Sequence, residues 1–156
     1  MAELRIGLGV DAHAFEEGVP LVLGGVVFDH PRGLAGHSDG DVIVHALIDA
    51  VLGAAGLGDI GSLFPSDGSI PAGVHSLELL RDAYARVRGD GWQLVNADCI
   101  LIGQEPRIAE RRAEMDAVLG ELLGGTVSVR ATTTDHLGFT GRGEGLAAQA
   151  VALLSR

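Results

Sequence analysis

The alternation of strand-like and helix-like segments is the feature that most constrains the fold of this chain. Apolar residues recur at every second position in some segments and at helical spacing in others. Predicted strands cover residues 4–13, 21–28, 92–102 and 127–133. Predicted helices cover roughly residues 41–55, 76–88, 106–123 and 144–154. Because the two kinds of segment interleave, we expect an α+β fold, a mixed β-sheet with helices packed on one face.

Local signals refine several of these elements. The glycine pair at positions 24–25 predicts a bulge or kink within the second strand. Ser38 or Asp39 is expected to cap the first helix and Ser76 the second. Pro106 is expected in the first turn of the third helix. The last segment is predicted to be helical because it is rich in Ala and Leu.

Length, charge and cysteine content restrict the class of protein. At 156 residues the chain is expected to form a single domain, residues 1–156. Its net charge of −10 disfavours a nucleic-acid partner. Cys99 is the only cysteine and lies in an apolar run, which predicts a buried thiol and no disulfide. The chain shows neither a signal-peptide pattern nor an apolar stretch of membrane-spanning length, so we expect a cytoplasmic protein without a membrane partner.

Three residues form a candidate metal site. Asp11 and His13 are two positions apart on a predicted strand, so their side chains point to the same face. His45 lies on the first predicted helix, and Asp49 one turn later is expected to orient its imidazole. Two imidazoles and one carboxylate are a set that catalytic zinc uses with a fourth position open. From the spacing alone, ordinary polar residues without a metal remain the alternative.

Two polar segments are candidates for binding an anionic group. His37 and Ser38 stand near a helix start, where backbone N–H groups favour an anion; an ordinary capping arrangement is the alternative. Thr132, Thr133, Thr134 and Asp135 follow a strand, where hydroxyls can donate to phosphate oxygens and the carboxylate can hold Mg²⁺. A plain strand end followed by a turn is the alternative there.

Several long motifs occur in one order along the chain. They are residues 5–13 (RIGLGVDAH), 36–42 (GHSDGDV), 45–47 (HAL), 57–61 (LGDIG) and 131–145 (ATTTDHLGFTGRGEG). In these motifs the chain resembles the 2-C-methyl-D-erythritol 2,4-cyclodiphosphate synthases of the non-mevalonate isoprenoid pathway, over nearly its full length. The resemblance implies a homotrimer with active sites between subunits.

The resemblance also implies a role for each matching residue. Asp11, His13 and His45 would bind one Zn²⁺ per subunit, and His37 and Thr133 would stabilise the transition state. The substrate would be contacted by Asp11, Ala12, His13 and His37. Further contacts would come from Ser38, Asp59, Ile60, Gly61 and Phe64 for the methylerythritol phosphate, and from Gly103, Gln104, Glu105, Pro106 and Arg107 for the cytidine. The diphosphate would meet Thr132, Thr133, Thr134 and Asp135, with Asp135 also holding Mg²⁺ or Mn²⁺.

Three further points follow from the resemblance. Phe139 and Arg142 would line a central cavity of the trimer, where family members can hold an isoprenoid diphosphate. The family often has Glu at the position of Asp135 and Lys at that of His136, so this chain departs from the pattern at both. In the loop of residues 66–73 the acidic pattern of the family is only partly kept.

The implied reaction is intramolecular. The 2-phosphate of 4-diphosphocytidyl-2-C-methyl-D-erythritol 2-phosphate would attack its own diphosphate, giving 2-C-methyl-D-erythritol 2,4-cyclodiphosphate and CMP. Two alternatives are a zinc-dependent phosphoester hydrolase, in which the metal activates water, and a non-catalytic trimer that binds isoprenoid diphosphates.

Overall fold

The computed structural model describes residues 1–156 and confirms the α+β class with a mixed sheet. The main sheet has five strands: β1 (Leu4–Glu17), β4 (Arg32–Leu34), β5 (Gln93–Ile102), β6 (Thr126–Thr132) and β7 (Gly145–Ser155). Their order in the sheet is β4-β1-β7-β5-β6. β5 and β6 are parallel, whereas all other neighbours are antiparallel. A separate hairpin is formed by β2 (Leu21–Leu23) and β3 (Val26–Phe28).

Three longer helices and two short ones complete the fold. They are α1 (Val42–Ala55), α2 (Ile60–Leu63), α3 (Ser76–Gly89), α4 (Arg112–Leu123) and α5 (Gly138–Gly141). Helix α1 lies on the sheet against β1 and β7, and all its residues except Asp49 and Gly53 are buried. None of the helices combines the length and the apolar character that a membrane crossing requires.

Helix α1 approaches strand β1 closely because β1 has glycine at the contact positions. A Cβ atom built on Gly7 would lie 2.6 Å from the backbone nitrogen of Ala54, and one on Gly9 would lie 2.8 Å from that of Ala50. Side chains at these two positions would therefore force the helix away from the sheet. The same face of β1 carries Asp11 and His13, so this close packing also brings His45 within reach of them.

The cap of α1 is Asp41, not Ser38 or Asp39 as predicted. Its carboxyl group accepts from the backbone N–H of Val44, and also from those of Gly24 and Gly25 at the turn of the β2–β3 hairpin. Complete burial raises the pKa of Asp41 to about 6. This side chain therefore joins the hairpin to the start of the helix that carries His45.

The prediction for the last segment is wrong, since residues 145–155 form strand β7 instead of a helix. Ala and Leu favour helices in isolation, but β7 is paired on both sides, with β1 and β5. The small side chains of Ala148, Ala150 and Ala152 are buried on one face of β7. Tertiary packing in the middle of the sheet thus outweighs the helical propensity of the segment.

Other predicted bounds need smaller corrections. Residues 24–25 form the turn between β2 and β3 rather than a bulge, with positive φ angles of 59° and 78°. Pro106 follows a cis peptide bond in a loop, and a 3₁₀ turn (Ala109–Arg111) precedes α4. Ser76 is the first residue of α3 rather than its cap, and His75 at the cap position makes no capping hydrogen bond.

Candidate functional site

Strand β1 and helix α1 bring the three predicted ligands together, so their predicted convergence is confirmed. Oδ2 of Asp11 lies 2.6 Å from Nε2 of His13 and 3.2 Å from Nδ1 of His45. The two imidazole nitrogens are 3.1 Å apart. One donor atom from each residue thus lies within 4.8 Å of the other two, which fits a divalent cation.

The outer nitrogen of each imidazole has a partner in the protein. Nδ1 of His13 lies 2.7 Å from the carbonyl oxygen of Ala35, so this nitrogen donates and Nε2 faces the cluster. Nε2 of His45 lies 2.8 Å from Oγ of Ser76 and 3.0 Å from Oγ of Ser38. The two rings are therefore held with one free nitrogen each directed at Asp11.

The prediction that Asp49 orients His45 is wrong. Oδ1 of Asp49 accepts instead from the backbone N–H of Ile60, at 2.7 Å. Asp49 therefore fixes the start of α2, which forms part of the cavity wall next to the cluster. Sequence spacing placed Asp49 on the face of α1 that carries His45, but it could not show which donor the carboxylate reaches.

Asp11 and His13 shift each other's pKa values in opposite directions. Burial acts to raise the pKa of Asp11, but the hydrogen bond from His13 and the adjacent imidazole of His45 outweigh it and lower this pKa to about 2. The hydrogen bond with Asp11 raises the pKa of His13 above its usual value of 6.5, against the opposing effect of burial. Because a metal ligand must give up its proton, we expect cation binding to weaken as the pH falls.

The cluster opens onto a cavity of about 230 Å³. Its wall includes five other predicted site residues, His37, Ser38, Ile60, Gly61 and Phe64. Asp59 lies beside it as the cap of α2, where its carboxylate accepts from the backbone N–H of Ser62. Ala12 is exposed on the opposite face of β1 from the two ligands that flank it.

The loop of residues 66–73 borders this cavity and is bonded to the segment that carries His37. Nε2 of His37 lies 2.7 Å from the carbonyl oxygen of Ile70, and the carbonyl oxygen of His37 accepts from Gly73. Ser66, Ile70 and Val74 contribute to the wall. The loop thus forms one side of the space in front of the metal cluster.

The remaining predicted site residues form a second group at the ends of β5 and β6. The backbone N–H of Gly103 donates to the carbonyl oxygen of Thr132. Oε1 of Gln104 accepts from the backbone N–H groups of Thr134 and His136, at 3.3 and 3.4 Å. The loop of residues 103–107 is therefore joined directly to the predicted diphosphate-binding segment.

Within that segment the side chains relevant to a cation are exposed. The Thr133 hydroxyl donates to Oδ1 of Asp135 at 3.4 Å, and Asp135 has a φ angle of 50°. A non-glycine residue in the left-handed region is uncommon, and Asp tolerates it better than most. Phe139 is exposed as well, and Arg142 forms an ion pair with Glu144 at 2.9 Å.

A second cavity, of about 190 Å³, lies against this group and is lined in part by Gln104, Glu105 and Arg142. It shares no residue with the cavity at the metal cluster. Within one chain, the structure therefore brings the metal ligands together with His37 and Ser38, but it keeps them apart from the residues predicted for cytidine and diphosphate.

Sequence reasoning did not assign Ser76 or Asp39 to the site. Ser76 is fully buried and contacts both His45 and Asp39. Asp39 belongs to the motif of residues 36–42, which was a signal for its importance, whereas a serine at a helix start carries no such signal. Ser76 is recognised only once α3 is placed beside α1.

The fold and the cluster together define an α+β protein with a candidate divalent-metal centre at the edge of a cavity. The chain belongs to the YgbB family, whose sequence profile matches residues 4–155.

Named relatives agree with this assignment. The chain is 52% identical, over 157 residues, to the 2-C-methyl-D-erythritol 2,4-cyclodiphosphate synthase of Cutibacterium acnes, covering 100% of this chain and 94% of that protein. A solved synthase of the same name in a CDP-bound form matches with a TM-score of 0.87 and 37% identity, over 96% of this chain and 99% of that one. The bifunctional IspDF from Campylobacter jejuni matches with a TM-score of 0.95 and 42% identity; the match covers 99% of this chain but 43% of that longer polypeptide.

Proposed function

We propose that this protein is an enzyme that converts 4-diphosphocytidyl-2-C-methyl-D-erythritol 2-phosphate to 2-C-methyl-D-erythritol 2,4-cyclodiphosphate and CMP, and that residues 1–156 act as one catalytic domain in the cytoplasm. The observation that carries the proposal is the convergence of Asp11, His13 and His45 beside a cavity, in a chain that matches the YgbB family over nearly its whole length. The reaction class is that of a cyclising phosphorus–oxygen lyase.

The donor set fits zinc. Two imidazole nitrogens and one carboxylate oxygen are typical of catalytic zinc sites, and both rings have outer partners that direct their free nitrogens to the cluster. When bound, such an ion supplies positive charge that polarises a phosphoryl oxygen and reduces the repulsion between two phosphates. For the second ion, Mg²⁺ or Mn²⁺, we propose Asp135, whose exposed carboxylate lies next to Thr133.

The other residues of the cavity would position the methylerythritol phosphate. Ser38 and the residues Asp59, Ile60 and Gly61 would hold it, and Phe64 with the loop of residues 66–73 would cover it. Covering matters because an oxygen of the 2-phosphate must attack the β-phosphorus, and water in the same place would give a linear product. Well-aligned intramolecular reactions can gain about 7–11 kcal/mol from orientation alone. The bond from the β-phosphorus to the CMP oxygen then breaks, with charge stabilised by His37 and Thr133.

A complete site would need a second chain. The metal cluster and two of the residues proposed for cytidine, Gln104 and Glu105, line separate cavities in one chain. The face of the sheet opposite α1 also carries exposed apolar side chains on β1 and β7. Both observations support a homotrimer with three sites between subunits. Each site would combine the metal cluster of one chain with residues 103–107 and 132–135 of another. Phe139 and Arg142 would then face a central cavity suited to an isoprenoid diphosphate.

Incubation of the purified protein with the linear substrate tests the proposal. Phosphorus NMR should show a cyclic diphosphate and stoichiometric CMP, and chelation of the metal should stop both. A linear methylerythritol product would identify a hydrolase instead. Tight binding of an isoprenoid diphosphate without any turnover would identify a non-catalytic binding protein.

His45→Ala tests whether His45 is a metal ligand. We expect it to lose bound zinc and turnover, while the oligomer keeps its mass in solution, because the side chain lies at the cluster and not on the uncovered sheet face. Metal analysis of the purified variant decides the ligand assignment, and one zinc per chain retained by this variant would refute it.

A further inference from the structure

We infer that Ser76 and Asp39 are positioning residues for His45, and that together they fix which of its nitrogens carries the hydrogen, so that Nδ1 is free to bind the metal. The inference rests on the proposed function, because it concerns the ligand His45. It adds two residues that do not line the cavity of about 230 Å³. Ser76 contacts the cluster only through the outer nitrogen of His45. Their influence would pass through the contact between Ser76 and the outer nitrogen of the imidazole.

The number of hydrogens available fixes the donor and the acceptor in the hydrogen bonds that join Asp39, Ser76 and His45. The carboxylate of Asp39 accepts three hydrogen bonds, from the backbone N–H of Asp41, from the backbone N–H of Ser76 and from the Ser76 hydroxyl. A serine hydroxyl has one hydrogen, and here it is given to the carboxylate. Oγ of Ser76 is then only an acceptor towards Nε2 of His45, at 2.8 Å.

It follows that Nε2 of His45 carries the hydrogen and Nδ1 has a free lone pair. Nδ1 is the nitrogen that faces Asp11 and His13. Without the carboxylate, the Ser76 hydroxyl would be free to donate to Nε2, and the hydrogen would then sit on the nitrogen that must bind the metal. Asp39 thus selects the tautomer of His45 through Ser76, and its negative charge also favours a more basic Nδ1.

Burial makes this selection effective. Ser76 is 0% exposed and His45 is 8% exposed, so water cannot readily replace a missing partner at Nε2. Ser38 also contacts Nε2, at 3.0 Å, but its Oγ accepts from the backbone N–H of Gly40 and has no carboxylate partner. Ser38 therefore cannot by itself determine which way its hydroxyl hydrogen points.

The same contacts fix the start of α3 relative to the cavity. Asp39 accepts from the backbone N–H of Ser76 at 3.0 Å, and its own backbone N–H donates to the carbonyl oxygen of Val74 at 3.1 Å. Val74 forms part of the cavity wall. The start of α3, the wall and the orientation of His45 are therefore all set by contacts of one residue, Asp39.

Two measurements on purified protein test the inference, both independent of turnover. The first is the zinc dissociation constant, obtained by competition with a chromophoric chelator. The second is the tautomer of His45 in the metal-free protein, obtained from long-range ¹H–¹⁵N spectra. Ser76→Ala and Asp39→Asn should each weaken zinc binding by roughly 10–100-fold. Both should also reduce the Nε2–H tautomer that the unchanged protein shows.

Two further variants separate the hydroxyl from the packing of Ser76. Ser76→Thr and Ser76→Val add a group of similar size, but only Thr keeps the hydroxyl, so Thr should retain zinc affinity relative to Val. Ser128→Ala, at an exposed serine of β6, should leave zinc affinity and the tautomer unchanged. Asp39→Asn leaves Ser76 in place, so it tests the inference even if Ser76→Ala does not fold.

The results separate failure of the proposed metal centre from failure of the positioning role of Ser76 and Asp39. An unchanged protein that binds no zinc would overturn the proposed metal centre. Zinc binding by the unchanged protein, with affinity and tautomer preserved in both Ser76→Ala and Asp39→Asn, would overturn the positioning role and leave the metal centre intact. Equal zinc affinities for Ser76→Thr and Ser76→Val would also count against it.

Discussion

Leu8 of β1 lies directly opposite Val151 of β7, and both side chains point away from α1, with exposed fractions of 63% and 46%. Leu4, Ile6 and Val10 extend the same row along β1. We call these five residues the apolar strip. Isolated exposed apolar residues are normal, but a contiguous row on a sheet face marks an interaction surface. In the proposed homotrimer this strip would be covered by neighbouring subunits.

A charge within the apolar strip should therefore prevent assembly. We expect Leu8→Glu to elute as a monomer near the chain mass of 16.1 kDa, whereas the unchanged protein elutes at about three times that mass. Light scattering coupled to size exclusion measures both. Val27→Glu is the control, because Val27 is equally exposed on β3 but outside the strip. Assembly preserved in Leu8→Glu would rule out this face as the subunit contact.

The close approach of α1 to β1 gives a second prediction. Gly9→Ala should lower the free energy of unfolding by about 3 kcal/mol, because the added methyl group would meet helix backbone, which cannot move aside. It should also weaken zinc binding, since it would separate His45 from Asp11. Gly53→Ala is the matched control, as no atom lies within 4 Å of its Cβ position.

In a helix interior, Gly53→Ala should raise the free energy of unfolding by about 0.5–1 kcal/mol. Urea denaturation at one fixed protein concentration compares the two variants. If they had equal stabilities, the tight helix–sheet contact at Gly9 would not be a feature of the folded protein.

Features of the fold that depend on residues close together in the sequence could be predicted, whereas those that depend on distant residues could not. Asp11 and His13 share a face because strands alternate with a period of two, which is a local rule and was predicted correctly. Strand β7 was predicted wrongly because its pairing with β1 joins residues more than 130 positions apart, as in Leu8 and Val151. Local composition contains no information about such a partner.

The same distinction applies to the site. Residue type and spacing made Asp11, His13 and His45 candidates without excluding ordinary polar residues, and the resemblance extended the set to residues 103–107 and 132–135. Ser76 could not be selected, because its contact with His45 spans 31 positions and exists only when α3 packs beside α1. Asp49 shows the reverse error, since its spacing suited His45 but its carboxylate reaches the backbone of Ile60.

Cys99 should be chemically inert in the folded protein. Burial raises the pKa of its thiol from the usual 9.0 to about 12, so its thiolate fraction near pH 8.5 is about a thousandfold lower than in the unfolded chain. Alkylation by iodoacetamide at that pH should be negligible in buffer and complete in urea. Rapid alkylation of the folded protein would contradict the burial of this thiol.

The raised pKa of Cys99 also predicts how stability depends on pH. Between pH 9 and 12 the unfolded chain releases the thiol proton that the folded chain keeps. Unfolding therefore becomes more favourable as the pH rises through this window. Cys99→Ala should show a shallower loss of stability over the same range, measured by urea denaturation at several pH values. Parallel curves for the two proteins would show that the thiol does not contribute.

Asp135→Asn tests the proposed site of the second cation. Loss of one carboxylate ligand should raise the Mg²⁺ concentration needed for half-maximal turnover by about tenfold, because Mg²⁺ prefers charged oxygen ligands. Zinc content should stay unchanged, since Asp135 does not belong to the cluster of Asp11, His13 and His45. Asp82→Asn, at an exposed position of α3, is the control for a simple loss of surface charge. If both variants showed the same Mg²⁺ dependence as the unchanged protein, Asp135 would not contact this ion, and the shorter side chain at this position would be the physical reason.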